Sequence, residues 1–112
     1  MIRDGDVRLI AQWQDDPGEA LLTIDMRIHG GHCVSAWDLF GAFDLDGRKT
    51  RPFILRREGR IDFGSLNKDD WRTNLREADM QIGVCFTVWF NDADSGQYKI
   101  VKIATLGSRE SE

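Results

Sequence analysis

The sequence predicts a mainly β domain: an antiparallel meander that closes as a β-sandwich or as a partly open β-barrel, with one short α-helix at about 67–78. Three observations lead to this fold class. Apolar and polar residues alternate with a period of two along most of the chain, short turn signals separate the alternating stretches, and a single stretch has helical spacing. Such a pattern is typical of strands that face a core on one side and solvent on the other.

Length and composition predict a single globular domain. The chain has 112 residues, 41 % of them hydrophobic, so we expect one β-rich domain over residues 1–107 and a flexible polar tail over 108–112. A domain of this size folds without a disulfide or a metal. We therefore expect Cys33 and Cys85 to be free thiols in or near the core, with a disulfide between them as the less favoured alternative.

The compartment predicted from the sequence is the cytoplasm. The opening residues, MIRDGDVRLIAQW, are too polar for a signal peptide, and the apolar runs are too short to span a membrane. Reduced thiols are the usual state of cysteines in that compartment.

The first two strands follow from alternation on either side of a turn. Residues 7–14 place Val7, Leu9 and Ala11 on one face, and residues 22–29 alternate in the same way. Pro17-Gly18, between the two stretches, is a turn signal because proline presets φ and glycine tolerates positive φ. We expect an antiparallel pair with one buried face.

A hairpin at Gly30-Gly31 fixes the predicted register of the next pair. Glycine tolerates the positive φ that a two-residue type I′ turn needs at both central positions. This turn pairs His29 with His32 and Ile28 with Cys33. Continued along the strands, the register predicts a core face made of Ile28, Met26, Ile24, Leu22, Cys33, Trp37 and Leu39.

The middle of the chain predicts two further hairpin strands. The third strand continues through Leu39, and Asp46-Gly47 turns it into a fourth strand that places Asp44 opposite Lys49. Pro52 indicates that the fourth strand is locally an edge, because proline cannot donate to a neighbouring strand.

The helix is predicted over 67–78. Asn67 is a suitable N-cap, and Trp71, Leu75 and Ala78 form a stripe at helical spacing. We expect this helix to cover one open end or face of the sheet. The strand that follows, residues 81–90, is apolar on both faces, which predicts a central strand, and 97–106 returns as the last strand.

The charge of the chain is negative overall but unevenly spread. A net charge of −4 argues against nucleic acid and against anionic membranes as partners. Within residues 48–60, however, Glu58 is the one acidic residue, against six basic ones: Arg48, Lys49, Arg51, Arg56, Arg57 and Arg60. These side chains either protect a strand edge from aggregation or form a binding surface for an acidic protein, a phosphate group or another anion.

The stretch HGGHC, residues 29–33, is the one candidate metal site. In the predicted hairpin, His29 and His32 share one face and Cys33 points to the other, so the three cannot bind one ion. The two histidines are weak candidates that would need Asp25 or a partner chain to complete a site. Otherwise they are the solvated tip of a hairpin. No cofactor is predicted, and the sequence contains no nucleophile elbow or phosphate-binding loop.

The sequence therefore predicts a non-catalytic interaction module that binds a protein. A small adaptor, an inhibitor or a self-associating protein such as a homodimer fits this prediction. Outward apolar residues on strands motivate it, because they need cover from another chain: Ile10, Val34, Ala36 and Phe40. The alternatives are binding of an anionic ligand or nucleic acid by residues 48–60, and a small-molecule or enzymatic pocket inside the barrel.

Overall fold

The computed structural model describes residues 5–15, 20–34, 37–45, 49–64, 71–91 and 93–106. It contains nine strands, which are β1 (Gly5–Trp13), β2 (Ala20–His29), β3 (His32–Cys33), β4 (Leu39–Leu45), β5 (Lys49–Leu55), β6 (Arg60–Asp62), β7 (Trp71–Thr73), β8 (Cys85–Trp89) and β9 (Ser95–Thr105). No helix of the described residues is long and apolar enough to cross a membrane.

Eight of these strands form a closed antiparallel barrel in the order β1-β2-β4-β5-β6-β7-β8-β9. β1 closes it because β1 pairs with β2 on one side and with β9 on the other, so that Val7 lies opposite both Met26 and Thr105. The mainly β prediction is confirmed. The predicted sandwich or partly open barrel is not confirmed. The barrel closes because the first strand pairs with the last one, and local alternation does not indicate which distant strands pair.

The predicted helix at 67–78 is not confirmed. Of its described residues, Trp71–Thr73 form β7, and Leu75–Glu77 form a single 3₁₀ turn, while Asn67 lies outside the described residues. β7 pairs with β6 and β8, and the Thr73 hydroxyl donates to the Thr87 carbonyl oxygen at 2.7 Å. These pairings on both sides outweigh a modest local preference for helix.

Aromatic side chains fill the barrel towards one end. Phe43 lies among four rings, with centroid distances of 5.0 Å to Phe53, 6.0 Å to Phe63, 5.4 Å to Trp71 and 6.0 Å to Tyr98. Burial raises the pKa of Tyr98 to about 12, so its hydroxyl is neutral at physiological pH. The interior at this end is thus a packed aromatic layer.

The segment after β7 covers the opposite end. Leu75 and Met80 are both fully buried in the core, and the Met80 N–H donates to the Gly31 carbonyl oxygen at 2.7 Å. The covering role expected of a helix is therefore carried by one 3₁₀ turn and an irregular segment that is tied to the β2–β3 hairpin.

The predicted Gly30-Gly31 hairpin is confirmed at its tip. His29 pairs with His32 and Ile28 with Cys33, and the two glycines have φ values of 61° and 82°. Cys33 is partly buried and packs against the core.

Further from the tip, the predicted register is wrong by four residues. Leu22 pairs with Phe43 rather than with Leu39, because the chain leaves the sheet between β3 and β4. An even shift keeps every strand residue on its predicted face. Leu39 is accordingly buried, whereas Trp37 lies in the departing segment and is 56 % exposed instead of in the core.

The β4–β5 hairpin also differs from its predicted register. Asp44 pairs with Thr50, whose hydroxyl donates to the Asp44 carboxylate at 2.8 Å, and Lys49 lies opposite Leu45. Within β5, only Ile54 and Leu55 pair with β6. Among the described residues, Pro52 therefore has a neighbouring strand on one side, β4, as expected of a local edge.

β8 is buried on one face, not on two. Phe86 and Val88 lie in the core, whereas Cys85 and Trp89 are exposed. In a closed barrel every strand has an inner and an outer face, and no helix among the described residues covers the outer side of β8. This arrangement also places the Cys85 thiol on the surface instead of near the core.

Candidate interaction groove

A groove of about 460 Å³ opens on the outside of the barrel, where β2 and β4 separate. The two strands pair as far as Ile24 and Gly41, and beyond this point the groove lies between β2 and residues 37–38. We call this the Trp37 groove. It is lined by Asp6, Asp25, Met26, Arg27, Trp37, Asp38, Leu39, Phe40 and Leu106.

Two aromatic side chains form the apolar wall of the Trp37 groove. Trp37 is 56 % exposed and Phe40 67 % exposed. Phe40 points outward because its neighbour Leu39 points into the core, and across the sheet it lies opposite Ile54. Ala42 and Pro52 form the next outward pair, so apolar surface continues from the groove along β4 and β5.

Two arginines hold the backbone that presents Trp37. The Arg76 guanidinium donates to the carbonyl oxygens of Trp37 at 2.8 Å, Leu55 at 3.1 Å and Arg56 at 3.2 Å. Arg56 donates to the Asp38 carboxylate at 2.7 Å. The Trp37 indole is therefore exposed on a segment whose backbone is anchored by charged hydrogen bonds.

Arg56 is the centre of this network. Its guanidinium also donates to Asp62 at 2.7 Å, and Arg60 lies 3.8 Å from the same carboxylate oxygen. The hydrogen bonds from Arg56, and then the one from the Gly64 N–H, hold the pKa of Asp62 below its ordinary value. Its two carboxylate partners raise the pKa of Arg56, so these ion pairs stay charged at neutral pH.

The opposite wall of the Trp37 groove belongs to the charged outer face of β1 and β2. Arg27 donates to both carboxylate oxygens of Asp6, at 2.9 and 3.3 Å, and Arg8 donates to both oxygens of Asp25, at 2.8 and 3.0 Å. Each pair joins residues that lie directly opposite each other. The Arg27 hydrogen bond lowers the pKa of Asp6.

Those basic residues of the 48–60 segment whose side chains the structure describes do not all lie on one surface. Arg51 lies on the inner side of β5 with its guanidinium 3.9 Å from the Phe63 ring centroid and 5.8 Å from that of Trp71. Arg56 follows at the other end of the strand, about 17 Å further along it, and is bound to Asp38 and Asp62.

Of the remaining basic residues, Arg60 lies beside Arg56 at the Asp62 carboxylate. Arg60 has ion-pair distances of 3.5 Å to Glu58 and 3.8 Å to Asp62. Arg57 is exposed in the β5–β6 turn. The backbone of Lys49 begins β5, and Arg48 lies outside the described residues.

The two candidate metal ligands stay at the hairpin tip. His29 and His32 are exposed, and the His32 Nδ1 atom lies 3.6 Å from the Asp79 carboxylate. No group of three side chains suited to hold a metal ion occurs among the described residues.

A second groove, of about 250 Å³, lies on the outer surface between the β5–β6 turn and β8. Its lining is mostly polar and includes Glu58, Arg72 and Trp89. Asn74, also part of this lining, accepts a hydrogen bond from the Thr87 N–H at 2.9 Å and so serves the fold.

Reasoning from the sequence missed most of the residues that build the Trp37 groove. The sequence predicts Trp37 in the core and Arg76 in the helix over 67–78, and it predicts no role for Asp38. The run Trp37-Asp38-Leu39-Phe40 contains one usable signal, since Leu39 and Phe40 are consecutive apolar residues and one of them must face outward in a strand. Comparisons of the chain with protein-family models, curated proteins and solved structures gave no match.

Proposed function

We propose that this barrel is a non-catalytic interaction module that binds a protein partner through the Trp37 groove. One observation carries the proposal: the Trp37 side chain is exposed to solvent, while Arg76 and Arg56 fix the segment that bears it. An aromatic side chain on a fixed backbone loses little conformational freedom on binding, and tryptophan is among the residues that contribute most to protein interfaces.

The surface around the groove supports the same proposal. Phe40 and Ile54 lie side by side on the outside of the barrel, next to Ala42 and Pro52. A partner that covers Trp37 would also cover part of this apolar strip, which extends the contact beyond one side chain. Of the outward apolar residues expected from the sequence, Val34 and Phe40 are exposed, Ile10 is partly buried, and Ala36 lies outside the described residues.

The alternatives have less support. Binding of an anion by residues 48–60 would use guanidinium groups that already face aromatic rings or carboxylates, as Arg51 and Arg56 do. A small-molecule or enzymatic pocket inside the barrel would have to displace rings that pack around Phe43. The cytoplasmic location and the second copy as partner remain predictions.

The decisive experiment compares two surface variants. We expect Trp37→Ser combined with Phe40→Ser to weaken binding of the partner, or self-association, at least about tenfold. The control is Ile82→Ser, which removes an exposed apolar side chain outside the groove. Both variants should keep the free energy of unfolding within about 0.5 kcal/mol of the wild type, since these side chains are exposed.

Binding is measured by quantitative co-purification from cells that produce the protein, and self-association by sedimentation over a wide concentration range. If the double variant keeps the partners and the oligomeric state of the wild type, the Trp37 groove is not the binding surface. A wild-type chain that stays monomeric and retains no partner would also contradict the proposal.

A further inference from the structure

We infer that the partner contributes a basic side chain, lysine or arginine, whose charged group binds between the rings of Trp37 and Phe40 and the carboxylate of Asp38. This inference rests on the proposed function and adds the chemistry of the partner. It is drawn from four consecutive residues, Trp37-Asp38-Leu39-Phe40, all of which line the Trp37 groove.

The two rings supply a surface that attracts cations. The face of an aromatic ring is electronegative, and tryptophan has the strongest attraction for a lysine or arginine side chain. Trp37 and Phe40 are both more than half exposed, so their faces are accessible. Leu39, between them, is buried and anchors the run to the core.

Asp38 supplies the charge that an incoming cation would meet. Its Oδ2 atom accepts a hydrogen bond from Arg56, and no residue in the described part of the chain donates to its Oδ1 atom. The side chain is 36 % exposed. By contrast, both oxygens of Asp25 accept hydrogen bonds from Arg8. Among the carboxylates of the groove, Asp38 is therefore the one with an oxygen that accepts no hydrogen bond from the described residues.

The charges around the groove favour a cation at Asp38. Three carboxylates and one guanidinium line it, and each carboxylate has an arginine partner: Arg27 for Asp6, Arg8 for Asp25 and Arg56 for Asp38. Because Arg56 binds one of the two Asp38 oxygens, the other oxygen attracts a basic group of a partner and repels an acidic one. The whole chain has a net charge of −4, which also attracts a basic partner at a distance.

The test selects peptides without assuming a partner. A library of random twelve-residue peptides is displayed and selected on the full chain, with the Trp37→Ser and Phe40→Ser double variant as the counter-selection. We expect the selected peptides to be enriched in lysine or arginine beside apolar residues. Replacing the basic residue by its neutral analogue, citrulline for arginine, should weaken binding about tenfold, which corresponds to about 1.4 kcal/mol.

Two variants of the protein separate charge in the groove from the Arg56 network. Asp38→Asn removes a carboxylate that lines the groove, whereas Asp62→Asn removes the other carboxylate bound to Arg56, away from the groove. We expect Asp38→Asn to weaken the selected peptides about tenfold and Asp62→Asn to change their affinity less than twofold.

The outcomes distinguish the inference from the proposed function. Peptides that bind through Trp37 but lack basic residues, or that bind equally well with citrulline, overturn the inference and leave the proposed function standing. Self-association that depends on Trp37, without selection of basic peptides, likewise replaces the basic partner by a second copy. If no peptide prefers the wild type over the double variant, and neither partner nor self-association depends on Trp37, both proposals fail.

Discussion

The outer faces of two strand pairs in the same barrel are built from different chemistry. On β1 and β2, two cross-strand pairs, Asp6–Arg27 and Arg8–Asp25, satisfy each other's charges. On β4 and β5, the directly opposed outward pair is Phe40 and Ile54, followed by Ala42 and Pro52. On the first face every one of these charged groups has a partner of opposite charge, whereas the second face exposes apolar side chains to solvent.

The difference also extends below the surface. The charged pairs of β1 and β2 are exposed, and exposed ion pairs contribute little to stability because water competes for both partners. Beside the apolar face, Arg76 and Arg56 hold the Trp37 segment in place. Their hydrogen bonds to the Leu55 carbonyl oxygen and to the Asp38 carboxylate are partly buried, whereas the one to the Trp37 carbonyl oxygen is exposed. The strong polar contacts thus lie beside the exposed apolar face of β4 and β5. They keep the backbone there in place, as a surface that binds a partner requires.

The largest expected effect comes from breaking the support of the apolar face. Arg76→Met removes three hydrogen bonds to the carbonyl oxygens of Trp37, Leu55 and Arg56. We expect the free energy of unfolding in urea to fall by about 3 kcal/mol, because hydrogen bonds from a charged group are strong and their acceptors would lose their partner. Arg57→Met, in an exposed turn position, is the control and should change it by less than about 0.5 kcal/mol. Equal losses in the two variants would contradict the role given to Arg76.

An intermediate effect is expected from acid. The Arg56 hydrogen bonds hold the folded pKa of Asp62 below 3.8, and the Arg27 hydrogen bond does the same for Asp6. When the pH falls below 3.8, the unfolded chain binds protons first, so stability present above this pH is lost as the pH falls towards the folded pKa values.

Asp62→Asn should therefore reduce the fall in melting temperature between about pH 4 and about pH 2, relative to the wild type. Asp6→Asn should reduce it less. The reason is exposure: the Asp62 side chain is 20 % exposed and that of Asp6 53 %, so water screens the second pair more. A larger effect of Asp6→Asn would mean that the charged face of β1 and β2 is the more important electrostatic element.

The smallest effect is expected on the charged face itself. A double-mutant cycle of Arg8→Ala and Asp25→Ala should give a coupling energy of about 0.5 kcal/mol. The coupling energy should decrease at about 1 M salt, because the Debye length is then only ~3 Å and salt screens the exposed pair. Urea unfolding at low and high salt measures it. A coupling above about 2 kcal/mol, which lies in the range of close, desolvated charge pairs, would remove the contrast between the two faces.

The sequence by itself determined the β class, the alternation of most strands and one hairpin tip. Gly30-Gly31 specified its turn through backbone conformation alone, and Ile28 therefore pairs with Cys33 as expected. These features depend on neighbours within a few residues, and local alternation and turn chemistry encode such contacts directly.

Tertiary structure alone decided the closure of the barrel, the strand at Trp71–Thr73 and the exposed position of Trp37. Closure depends on β1 meeting β9, and β7 forms because β6 and β8 lie on its two sides. Trp37 is exposed because the chain leaves the sheet after β3, and Arg76, distant in sequence, holds its carbonyl. Such contacts join residues far apart along the chain, and their free energies outweigh local preferences that favoured a helix and a buried tryptophan.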